Sequence, residues 1–91
     1  MRSLERITRL VEVHSLIKQG KTGTPIEFAR KFHISRSQIY NIIDELKYYG
    51  AAIKYSRKHR TFYYKNDFEI TNTPFWEKEI KDFFEKTFHP G

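Results

Sequence analysis

Leu4, Ile7, Leu10, Val11 and Ile17 recur at steps of three and four, with His14 on the same stripe. That spacing predicts an amphipathic helix over 4–18, with Ser3 as its N-cap and Gly20 as its stop. Gly20-Lys21-Thr22-Gly23 reads as a loop. A second helix is announced by Thr24 as N-cap, Pro25 at the first helical position and Glu27 closing a capping box. Its apolar stripe is Ile26, Ala29 and Phe32, and it ends near Phe32. A third helix over 35–49 begins at Ser35, with Gln38 completing a second capping box and Ile34 stapled to Ile39. Ile39, Ile42, Ile43, Leu46 and Tyr49 supply its inward face, and Gly50 is the expected left-handed stop. Two short helices joined by about three residues, the second entered through a stapled cap, form the helix-turn-helix layout.

After Gly50 the period changes from 3.6 to 2. Ile53-Lys54-Tyr55-Ser56 and Thr61-Phe62-Tyr63-Tyr64 are rich in β-branched and aromatic residues, and Arg57-Lys58-His59-Arg60 separates them. A β-hairpin follows, with Tyr55, Phe62 and Tyr64 packing inward. Its turn has neither Gly nor Asn, so a two-residue type I′ turn is not signalled. Residues 66–73 read as a connector. Phe75, Trp76, Ile80, Phe83, Phe84 and Phe88 mark a last amphipathic helix over 74–87. The expected class is mainly α with a small β-hairpin (α+β): a winged helix-turn-helix over 1–70, then a C-terminal helical extension over 71–91. With the core expected to be complete by residue 65, the aromatic stripe of the last helix either covers that core or forms a two-fold dimer contact, the dimer being favoured. The dimerisation candidates are Phe75, Trp76, Ile80, Phe83 and Phe84.

Composition narrows the function classes. A chain of 91 residues builds one small core, which leaves little room for a two-domain enzyme with a deep cleft. Cysteine is absent, which excludes disulfides, thiolate catalysis and Cys-based zinc sites. His14, His33, His59 and His89 are scattered without a carboxylate cluster, so no metal or cofactor is expected. No nucleophile–base pair, phosphate loop or carboxylate pair stands out, and the chain is not expected to be an enzyme. The short apolar runs exclude a membrane span and a signal-peptide core, and the expected location is cytoplasmic, with the nucleoid. The 15 aromatic residues argue for a folded chain despite 31% charged residues.

The charge is uneven. The net +6 divides into +7 over residues 1–70 and −1 over residues 71–91. Lys54, Arg57, Lys58, Arg60 and Lys65 gather on the hairpin with no acid between them, and Arg30, Lys31 and Arg36 form a second cluster. Localised positive charge of this kind suits a polyanion.

Arg9-Leu10-Val11 through Ile17, Gly20-Lys21-Thr22-Gly23-Thr24-Pro25, Phe28-Ala29, Ile34-Ser35-Arg36, Ile39-Tyr40, Asp44-Glu45-Leu46, Gly50-Ala51, Ile53-Lys54-Tyr55 and Phe62-Tyr63-Tyr64 together carry a resemblance. Over about residues 4–65 the chain resembles the N-terminal winged helix-turn-helix of bacterial WYL-domain transcription regulators, and it is similar also to the DNA-binding domain of the biotin repressor. The resemblance implies that the third helix enters the major groove while the wing touches the backbone or minor groove. Ser37 and Asn41 stand where that family often has Arg, Ile42 where Asp is common, and the wing tip lacks its usual glycines.

With Ile39, Ile42 and Leu46 inward, helical spacing turns Arg36, Ser37, Tyr40, Asn41, Asp44 and Lys47 outward. Arg reads guanine bidentately, Asn reads adenine, and a Tyr ring lies against a thymine methyl or a phosphate. Tyr40 is nearly as well placed to pack between elements. Ser35 and Ser37 suit a phosphate at the helix N-terminus. Arg30 and Lys31 on the second helix, with Lys54, Arg57, Lys58 and Arg60 on the wing, suit the phosphate backbone or a narrow minor groove. Asp44 is expected to pair with Lys47 within the helix. The expected function is a DNA-binding transcription regulator whose partners are double-stranded DNA and, through the C-terminal helix, a second copy of the chain. Neither a membrane nor a small-molecule ligand is expected. The alternative is a protein-protein interaction module on a winged-helix scaffold that uses the C-terminal aromatic helix.

Overall fold

The computed structural model describes residues 2–74 and 76. Three helices come first: α1 (Arg2–Gln19), α2 (Pro25–Lys31) and α3 (Arg36–Tyr48). An antiparallel hairpin follows, β1 (Ile53–Ser56) and β2 (Thr61–Tyr64), and then a single 3-10 turn at Ile70–Asn72. The class is α+β, compatible with the winged-helix layout. The last helix expected over 74–87 lies outside the described residues apart from Pro74 and Trp76. Phe75, Ile80, Phe83 and Phe84 lie outside them too. No helix among the described residues is long and apolar enough to cross a membrane.

Both capping boxes form. The Thr24 hydroxyl accepts from the Glu27 N–H at 3.2 Å, and the Glu27 carboxylate accepts from the Thr24 N–H at 2.8 Å. Ser35 and Gln38 repeat the exchange at 3.1 and 2.9 Å. Each reciprocal pair satisfies donors that a helix start otherwise leaves to water, which sets where α2 and α3 begin to within a residue. At the other ends, Gly20, His33 and Gly50 adopt left-handed backbone, with φ of 69°, 56° and 114°. The amides of Lys21, Ile34 and Ala51 reach back to the carbonyls of Leu16, Ala29 and Leu46. This left-handed reversal is what turns the chain sharply between α2 and α3.

Ile7, Leu10, Val13 and Ile17 of α1 meet Phe28 and Ala29 of α2 and Ile39, Ile43 and Leu46 of α3 in one core. Val13 is fully buried and Val11 only half-buried, so the inward face of α1 is rotated from the expected stripe toward Val13. In α2 the expected stripe is corrected. Ile26 is 49% exposed and Phe28 is 0% exposed. Phe28, Ala29 and Phe32 share one side of this two-turn helix, and Ile26 stands about 200° away from Phe28 around the axis. In α3 the expected face holds, with Ile39, Ile43 and Leu46 buried and Ile42 and Tyr49 at its margins.

The hairpin register pairs Ile53 with Tyr64, Lys54 with Tyr63, Tyr55 with Phe62 and Ser56 with Thr61. Period-two alternation therefore puts Ile53, Tyr55, Phe62 and Tyr64 on one face and Lys54, Ser56, Thr61 and Tyr63 on the other. Phe62 is the hub of the inner face, with ring centroids 5.0 Å from Tyr55, 5.8 Å from Phe28 and 6.1 Å from Tyr40. Those contacts tie the hairpin to both α2 and α3. Beyond the hairpin, Phe68, Ile70 and Thr73 are buried and Trp76 packs against the core. The core is therefore not complete at residue 65: the connector closes it.

Two side chains act as strand substitutes. The Thr22 hydroxyl, 0% exposed, accepts from the Phe62 N–H at 2.9 Å, and the Thr22 N–H donates to the Thr61 hydroxyl at 3.2 Å. Asn66 closes the hairpin base by accepting from the Ala52 N–H at 3.1 Å and donating to the Gly50 carbonyl at 3.0 Å. A Thr22→Val chain keeps the shape but strands the buried Phe62 N–H. It is expected to lose about 1–3 kcal/mol in urea unfolding, whereas Lys21→Ala, on an exposed neighbour, changes stability by less than about 0.5 kcal/mol.

Candidate nucleic-acid interface

The outward face of α3 is assembled as its periodicity dictates. Arg36, Ser37, Tyr40, Asn41, Asp44 and Lys47 are all exposed. Ser35 differs in role, since its hydroxyl and amide are both engaged in the cap. Tyr40 does two things at once: its ring meets Phe62 edge-on, yet it is 42% exposed. It thus joins the outer face of α3 to the hairpin. The expected Asp44–Lys47 pair does not form among the described residues. In this helix it is Glu45 that is paired, with Arg6 of α1.

The cations outside α3 are exposed as well: Arg30 and Lys31 on α2, Lys54 on the outer face of the hairpin, and Arg57, Lys58 and Arg60 in its four-residue turn. Lys31 is partly engaged, its Nζ donating to the Lys21 carbonyl at 2.8 Å. Glu27 reports where two of these charges sit. Its carboxyl is held below the usual range first by the hydrogen bonds from Thr24 and then by the charges of Arg60 and Lys31. The turn of the hairpin therefore lies beside the start of α2.

Arg60 also has left-handed backbone, with φ of 53°. It provides the reversal that Gly or Asn would otherwise provide in a four-residue hairpin loop. A side chain in this conformation costs on the order of 1 kcal/mol. The chain carries that cost with a cation at the position.

A polar cluster, which the scattered histidines gave no sign of, secures the connector. The Tyr64 hydroxyl lies 2.6 Å from Nδ1 of buried His14, and the Phe68 ring meets the imidazole edge-on. Burial raises the Tyr64 phenol, which keeps its hydroxyl protonated. Burial and then the Lys18 ammonium hold His14 below its usual range. Glu69 stands 3.6 Å from Nε2, beyond hydrogen-bond reach, and is engaged by Lys18, so it does not offset the burial. The unfolded histidine titrates near 6.5 and the native one lower, so between those values the unfolded chain binds the extra proton. This contribution to stability is complete above pH 6.5 and is lost as the pH falls through the folded pKa. Urea midpoints at pH 7.5, 6.5 and 5.5 are expected to fall with acidification, and a His14→Gln chain to show a flatter profile over the same range.

Thr22, Asn66 and Glu69 are the structural polar residues that local pattern does not reveal. Among the described residues no group of three or more His, Asp or Glu side chains could hold a metal ion. A concavity of about 500 Å³ lies between the end of α1, the end of β2 and residues 66–69. Its polar groups include Lys18 and Glu69, paired with each other, and Asn66, bonded to backbone. No family model matches the chain, and neither a curated protein nor a solved structure matches it.

Proposed function

We propose that the chain is a duplex-DNA-binding protein of winged helix-turn-helix type, a transcription regulator that lays α3 in the major groove. The basic hairpin then rests on the phosphate backbone or in the minor groove. One observation carries this reading: the exposed face of α3 presents Arg36, Tyr40, Asn41 and Lys47 together, and Tyr40 links that face to a hairpin whose exposed turn is basic and free of acid. Arg36 and Asn41 have the donor and acceptor geometry to read guanine and adenine, while the hairpin cations neutralise phosphates without reading sequence. The left-handed Arg60 supports the same reading, because a glycine there would ease the backbone and remove a charge.

Selection from random duplexes at physiological salt tests it. The expected result is an enriched motif containing a guanine and an adenine, whose adenine preference weakens by roughly tenfold in Asn41→Ala. Failure to retain duplex, or an adenine preference unaffected by Asn41→Ala, contradicts the reading.

A further inference from the structure

Ser37, Tyr40, Asn41 and Asp44 stand at i, i+3, i+4 and i+7 on α3, the spacing that lines side chains along a single stripe of a helix. Arg36 and Lys47 flank that stripe near its two ends. Asp44 is the one acid on this exposed surface of α3, and it has neither an ion-pair nor a hydrogen-bond partner among the described residues. Lys47 does not engage it, and Arg6 is taken by Glu45. A free carboxylate on a surface that meets phosphates weakens binding at every sequence through like-charge repulsion. That repulsion is offset where the carboxylate finds a donor in the groove. Cytosine presents such a donor, its N4 amino group, with no acceptor at the neighbouring ring position. Guanine and thymine present acceptors to the same carboxylate, and adenine sets its N7 acceptor beside its amino group.

We infer that Asp44 is a specificity-determining residue, selecting cytosine in the major groove and penalising guanine, thymine and non-specific duplex. This rests on the DNA-binding reading proposed above. Asn41 and Asp44 are separated by a rise of about 4.5 Å along the helix. One base-pair step is about 3.4 Å. The cytosine therefore falls within about two base pairs of the adenine read by Asn41.

The test repeats the selection with the full chain and its Asp44→Ala and Asp44→Asn forms, alongside anisotropy titrations on one unselected duplex and thermal melts of each protein. Asp44 is exposed and unpartnered, so the melts are expected to coincide. The wild-type chain is expected to enrich cytosine within two base pairs of the adenine. Asp44→Ala loses that preference by roughly tenfold, keeps the rest of the motif and binds the unselected duplex more tightly. Asp44→Asn exchanges cytosine for adenine at the same position. A wild-type motif without that cytosine, or a cytosine preference that survives in Asp44→Ala, overturns the inference and leaves DNA binding standing. A wild-type chain that retains no duplex overturns both.

Discussion

Truncating Phe28 to alanine is expected to remove about 3–5 kcal/mol of stability, a large fraction of what a domain of this size has. The side chain is 0% exposed at the meeting of α2 with the hairpin, and its ring packs 5.8 Å from both Phe32 and Phe62. The cavity has little means of collapse. Phe62 is held by the ladder to Tyr55 and by the Thr22 hydroxyl, and Phe32 is held at the C-cap of α2. The urea midpoint is accordingly expected to fall by about 2 M or more. Ile26→Ala, on the same helix but 49% exposed, is the control and is expected to shift stability by less than about 0.5 kcal/mol. Equal losses in the two variants would mean that α2 packs by its other side.

The second large effect concerns binding. In a chain carrying both Arg57→Ala and Lys58→Ala, two exposed cations leave the turn and no buried contact changes. Each phosphate neutralised contributes about 0.9 to the slope of log affinity against log salt. Removing two such contacts is expected to flatten that slope by about 1.8 and to weaken duplex binding roughly 60-fold at 0.1 M salt, taking the counterion term to vanish near 1 M. Stability is expected to stay within about 0.5 kcal/mol, since both side chains are in solvent. Anisotropy titrations over several salt concentrations read both quantities. A variant that binds duplex as the wild type does would remove the hairpin from the interface. The effect also differs in kind from that of Asn41→Ala, which relaxes one base position and leaves the salt slope alone.

Much of this architecture is legible in the chain because its determinants are local. Thr24 with Glu27, Ser35 with Gln38, and glycines at 20 and 50 mark the ends of three helices within a few residues of each signal. The hairpin is equally readable, since the alternation of Ile53, Tyr55, Phe62 and Tyr64 with polar residues needs no distant partner. Local pattern fails in α2 for a physical reason. Seven residues make only two turns, too few to separate an Ile26 stripe from a Phe28 stripe by period alone. It fails again at Thr22, whose role depends on Phe62 forty residues away, and at Phe68 and Ile70, which close a core begun by α1. On the interface, helical spacing turns the α3 side chains outward as expected. The state of Asp44, unpaired although Lys47 lies one turn on, depends on side-chain placement that spacing does not set.

The central claim, that the exposed face of α3 and the basic hairpin form a surface for duplex DNA, is tested most directly by the salt dependence of binding. The wild-type chain and a labelled duplex are titrated from 50 to 300 mM salt, and log affinity is plotted against log salt. Five to eight phosphate contacts by the exposed cations predict a straight line with a slope between about −4.5 and −7. No binding at 50 mM, or an affinity that does not change with salt, would contradict it.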